Sequence, residues 1–161
     1  MKNVMIPTDL SIRSLSYLHN FAEQMEEPCH VVLMHAQRLP ESILEYWQFT
    51  RNSLKHAQLD KDFLDAIEIM RNRYANCIQS MRVEFFYGTS KPALRNFLYA
   101  HQIDAIAIPE QLHYHHASES SFDPCQLIKG CKVPTMQLRM TMPRLVVKSP
   151  TSISALLGAN H

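Results

Sequence analysis

Residues 30–35 read His30-Val31-Val32-Leu33-Met34-His35, an unbroken apolar core that includes two β-branched side chains and shows no polar alternation. A half-solvated antiparallel strand alternates apolar and polar residues, whereas a strand buried on both faces reads as a continuous apolar run. The stretch therefore predicts an inner strand of a parallel sheet. Upstream, Leu15, Leu18, Ala22 and Met25 recur at +3, +4 and +3, one face of a helix that Pro28 ends. Before that helix, Val4 to Ile6 is a short apolar run closed by Pro7, and Pro7-Thr8-Asp9-Leu10-Ser11 supplies turn and cap side chains. Strand, turn, helix, strand is the repeating unit of an α/β domain with right-handed crossovers.

The pattern continues downstream. Glu41 to His56 carries a patchy stripe of Ile43, Leu44, Trp47 and Leu54, either a separate short helix or a lid. Its aromatics Tyr46, Trp47 and Phe49 suit core or dimer packing better than a pocket lining. Leu59, Phe63, Ile67, Met70, Tyr74, Ile78 and Met81 repeat at +4, +4, +3, +4, +4 and +3, which predicts one helix of six turns. Arg82 to Tyr87 is a third strand stopped by Gly88; Thr89, Ser90 and Pro92 start a helix with a face of Leu94, Phe97, Leu98 and His101. Ile103 to Ile108 is a fourth strand, Asp123-Pro124 starts a short helix that Gly130 closes, and Val133 to Leu138 is a fifth strand. One domain over residues 1–140 and a tail over 141–161, with Pro143, Pro150 and several serines, complete the expected organisation.

Composition narrows the function classes. The chain of 161 residues has only three glycines, about 2% against a usual 7% or so, and Gly88, Gly130 and Gly158 are too far apart to share a loop. A phosphate-cradling GxGxxG or GxxxxGK[ST] loop is absent from the whole sequence. The net charge of +1 is spread along the chain and gives no footprint for nucleic acid or an anionic membrane. No run approaches the roughly 18 apolar residues of a membrane span and the N-terminus lacks a signal-peptide core, so a cytoplasmic protein is expected. Cys29, Cys77, Cys125 and Cys131 form no CxxC pair, consistent with reduced thiols in that compartment.

Val4-Met5-Ile6-Pro7-Thr8-Asp9-Leu10-Ser11 resembles the opening strand and turn of the universal stress proteins. Leu33-Met34-His35-Ala36, the Gly88 turn, Ile103 to Ile108 and Cys131-Lys132-Val133-Pro134-Thr135-Met136 match in the family's order, over residues 2 to 139. The resemblance implies a single open, Rossmann-like parallel sheet of five strands in order 3-2-1-4-5, helices on both faces, and a homodimer formed through the last strand. It also implies a ligand edge. Pro7, Thr8, Asp9, Ala36, Ile108 and Pro109 fall where the family holds a nucleotide, at the carboxyl ends of strands.

The family's ATP-binding members carry glycines that would fall near Pro109, Leu112, and Ser121 with Phe122, and this chain has none there. Pro109 lacks an N–H, and the side chains of Leu112 and Phe122 occupy phosphate space. The expected function is a universal-stress-type protein with a degenerate nucleotide site and no cofactor, acting as a homodimeric scaffold or stress-response factor. The alternative is a sensor whose remodelled crevice between strands 1 and 4 takes a non-ATP nucleotide or an apolar metabolite. A nucleotide hydrolase of the wider superfamily lacks a phosphate loop and any paired acid, base or nucleophile motif. Thr8, Asp9 and Ser11 also suit capping of the first helix, and His35 suits a packed, hydrogen-bonded residue. His113, His115 and His116, with Glu110 and Glu119 nearby, are zinc or copper ligand types, but HxHH lacks the spacing of a known site and reads as a polar loop.

Overall fold

In the computed structural model, residues 1–39, 42, 59–110, 114 and 120–140 are described. They form β1 (Lys2–Pro7), a 3₁₀ turn (Ile12–Ser16), α1 (Tyr17–Gln24), β2 (Cys29–Gln37), α2 (Lys61–Arg73), β3 (Ile78–Tyr87), α3 (Lys91–Ala100), β4 (Ala105–Pro109), α4 (Cys125–Ile128) and β5 (Thr135–Leu138). The five strands are all parallel in the order β3-β2-β1-β4-β5.

Side-chain alternation along the inner strands builds two cores. Val4, Ile6, Val31 and Leu33 point to one face and meet Leu18 and Phe21 of α1 and Phe63 and Met70 of α2. Met5, Val32, Met34 and Ala36 point to the other and meet Leu94, Phe97 and Leu98 of α3 and Ile128 of α4. Both faces of β1 and β2 are thus apolar, which is why residues 30–35 show no polar alternation. Caps fall where the sequence offers them. Ser90 Oγ accepts the Ala93 N–H at 3.3 Å, and Asp123 Oδ1 accepts the Cys125 N–H at 2.9 Å. A Cβ on Gly88 would come within 2.9 Å of Ala93 Cβ, so the turn between β3 and α3 needs a glycine for close approach.

One helix is shorter than its periodicity predicts. The six-turn stripe from Leu59 to Met81 breaks at Arg73, and β3 begins at Ile78, four residues ahead of the expected strand at Arg82. Ile78 and Met81 continue the helical spacing by coincidence; instead, the parallel ladder pairs β2 from Cys29 to Gln37 with β3 and buries Ile78. Sheet pairing and burial outweigh local period there. The turn that makes the switch closes with the N–H groups of Cys77 and Ile78 both on the Tyr74 carbonyl, at 2.9 and 2.7 Å. The patchy segment 41–56 apart from Ser42, the histidines of 113–116 and the tail 141–161 lie outside the described residues. Among the described residues no helix is long and apolar enough to cross a membrane.

Candidate functional site

In an open parallel sheet the strand order reverses beside the first strand, and the crevice lies beyond the carboxyl ends at that point. Here β1 pairs with β4 only at Val4–Ala105 and Met5–Ile106, so the two strands have no register partners beyond Ile106. Pro7, Thr8 and Asp9 leave on one side of the gap, Ile108 and Pro109 on the other, and Ala36 lies at the end of neighbouring β2. The six residues singled out from the sequence all fall at this one edge. Pro109 costs β4 no ladder bond: Ile106 and Glu110 donate their N–H groups to β5, which turns the Pro109 nitrogen toward the side that β1 has left.

The turn after β1 is held by its own side chains. Thr8 Oγ1 accepts the Leu10 N–H at 3.0 Å and lies 2.8 Å from Ser14 Oγ. Asp9, 2% exposed, accepts both the N–H and the hydroxyl of Ser11 on Oδ1, at 3.0 and 2.5 Å. Ser11 in turn accepts the Ser14 N–H at 3.2 Å as cap of the 3₁₀ turn. Leu10 takes φ +64°, an unusual conformation for a leucine, while its side chain is buried in the core.

The chain that leaves β4 returns across the ends of β1 and β2. Gln37 and Ser121 form an antiparallel bridge, the Phe122 N–H reaches the Ala36 carbonyl at 3.2 Å, and the Arg38 N–H reaches the Ser120 carbonyl at 2.8 Å. Beneath this segment His35 is fully buried. Its Nδ1 lies 2.9 Å from the Thr8 carbonyl and its Nε2 lies 2.8 Å from Ser121 Oγ. A carbonyl only accepts, so Nδ1 carries the proton and Nε2 accepts from the Ser121 hydroxyl. Tyr114 stacks on the imidazole at 6.2 Å between centroids, and its hydroxyl donates to the Thr8 carbonyl at 3.3 Å. Phe85 packs edge-to-face with the same imidazole at 5.7 Å between centroids.

Burial sets the protonation here. It lowers the His35 pKa, offset in part by the Thr8 carbonyl and by the negative charge of Asp9, and it pushes the Tyr114 phenol well above its usual range. A neutral imidazole accepting from a serine hydroxyl is the geometry of a base and a nucleophile. Ser121, however, is only 4% exposed, and a backbone carbonyl orients the ring in place of a carboxylate. The arrangement fastens residues 120–122 to β2. Sequence reasoning passed over Tyr114, Ser121, Gln37 and Ser14 as members of this cluster; only the position of Ser121 opposite a missing glycine marked it. Among the described residues no three or more His, Cys, Asp and Glu side chains are placed to hold a metal ion.

No protein-family model and no curated protein matches the sequence. Solved structures do match it. The hypothetical protein PH0823 superposes with a TM-score of 0.57 at 15% identity, covering 88% of this chain and 97% of its own. The hypothetical protein MJ0577 gives 0.52 at 15% identity with the same coverages. Universal stress protein UspA from Lactobacillus plantarum gives 0.51 at 14% identity, over 86% of this chain and 97% of its own. The chain has the universal stress protein fold. Within that fold its carboxyl edge carries the His35–Ser121 closure, and Pro109, Ser121 and Phe122 there are not glycines.

Proposed function

We propose that this chain is a universal-stress-type protein that does not hold ATP in the crevice beside β1, and that it acts without catalysis, as a homodimeric scaffold or stress-response factor. The supporting observation is the closure of the carboxyl edge by the chain's own groups. Tyr114 and His35 Nδ1 donate to the Thr8 carbonyl, Phe122 to the Ala36 carbonyl and Ser121 to His35 Nε2, so a nucleotide would have to break these bonds to enter. The absent glycines favour the same reading, since neither Pro109 nor Phe122 leaves the backbone open to a phosphate.

Titration calorimetry with Mg-ATP tests the first half: no saturable heat is expected up to millimolar ATP, and micromolar affinity would overturn it. Light scattering across a concentration series tests the second. A dimer is expected at high concentration, and a monomer throughout removes the scaffold reading.

A further inference from the structure

On the opposite face of the sheet a groove of about 680 Å³ separates α3 from the segment joining α4 to β5, within the range of roughly 300–1,000 Å³ usual for small-molecule sites. Its floor and walls are apolar: Leu94, Leu98 and Ile103 below, Leu127, Cys131 and Val133 beside them. Three cations line the same groove, Lys91 and Arg95 on α3 and Lys132 on the facing bank, and none of them makes an ion pair among the described residues. Asp104 is the groove's one carboxylate, and it already accepts the Asn3 N–H at 2.8 Å. Lys91 spans the groove: its ammonium lies 3.8 Å from where a Cβ on Gly130 would stand, and Gly130, at φ +90°, leaves that space open. Tyr99, 86% exposed, adds an aromatic rim one turn beyond Arg95.

An apolar trough with unpaired cations at its banks is complementary to a molecule with an aliphatic body and one anionic end. Neither a neutral lipid nor a bare inorganic anion uses both features. We infer that this groove is a binding site for a free medium- or long-chain carboxylate, its chain on Leu94, Leu98, Ile103 and Val133 and its head group against Lys91, Arg95 and Lys132. The site lies on the other face from the His35 closure and is independent of it.

The test uses the full chain and sodium decanoate, with binding followed by the methyl NMR signals of Leu94, Leu98, Ile103 and Val133. Saturable shifts confined to those methyls are expected. Affinity should rise about fourfold per methylene, hence roughly 16-fold from octanoate to decanoate. The triple variant K91A/R95A/K132A should weaken decanoate at least tenfold while leaving decanol unchanged. Equal binding of decanoate and decanol by the unmodified protein would overturn the assignment of the head group. Absence of any shift at these methyls would overturn the site. The paired substitution Leu145→Asp and Val146→Asp covers a further occupant: if it alone moves the same methyls in ligand-free protein, the chain's own tail fills the groove and the proposal fails.

Discussion

His35 Nε2 and Ser121 Oγ lie 2.8 Å apart, across 86 positions of sequence and under full burial of the imidazole. This side-chain contact ties the segment returning from β4 to the end of β2, alongside the backbone bonds of Ser120 and Phe122. Ser121→Ala would leave a buried ring nitrogen without its donor, a loss of about 1–3 kcal/mol. The double variant His35→Leu/Ser121→Ala removes both polar partners together, so its loss should fall short of the sum of the two single losses by about 0.5–3 kcal/mol. Urea denaturation of the four proteins measures this, and additive losses would mean that the pair is not coupled.

The same histidine makes stability depend on pH. Burial lowers its pKa in the folded protein below the usual 6.5, so the folded state binds fewer protons than the unfolded one just below that value. Its contribution is therefore complete above pH 6.5 and is lost as the pH falls through the folded-state pKa. His19, also lowered by burial and by Arg73, acts in the same direction from a more exposed position. Between pH 7.5 and 5.5, above the ordinary carboxylate range, His35→Gln should show a flatter fall in stability than the unmodified protein. Identical slopes would assign the effect elsewhere.

The sequence carried the unbroken apolar run of the inner strand at 30–35, the caps at Ser90 and Asp123 and the turn at Pro7-Thr8-Asp9, because each is a local preference written in consecutive residues. The start of β3 was hidden because Ile78 and Met81 extend a helical period that only pairing with β2 overrides. Leu10 at φ +64° had no signal, since leucine is not a residue chosen for that conformation. The closure of the candidate site was hidden for another reason. Ser121 and His35 are unremarkable residues one at a time, and their relation exists only once the chain after β4 folds back on β2.

Asp9 illustrates a side chain whose structural work is measurable whatever else it does. It accepts two bonds from Ser11 while almost fully buried. Asp9→Ala should cost about 0.5–2 kcal/mol, a fall in Tm of roughly 2–4 °C per kcal/mol for a chain of this length. Asp9→Asn retains a side-chain oxygen acceptor and should cost less. Equal losses in the two variants, read by calorimetry, would show that the negative charge, not the acceptor, matters at this turn.

The outer edge of β5 decides how a dimer through the last strand would form. Ile106 and Glu110 donate to the carbonyls of Pro134 and Leu138, which turns the Gln137 carbonyl and the Arg139 N–H away from β4. Both outward groups already have partners on or near α1: Gln24 Nε2 donates to the Gln137 carbonyl at 3.2 Å, and Asn20 Oδ1 accepts the Arg139 N–H at 2.9 Å. Such side-chain cover blunts an edge against a second strand, so a dimer ladder running the length of β5 must first displace it. Asn20→Ala/Gln24→Ala should therefore dimerise at lower concentration than the unmodified chain, about a hundredfold lower if each of the two groups released on each protomer is worth roughly 0.7 kcal/mol. Sedimentation equilibrium reads the difference directly. Weaker association of the double variant would place the dimer contact on α1 rather than on the strand edge.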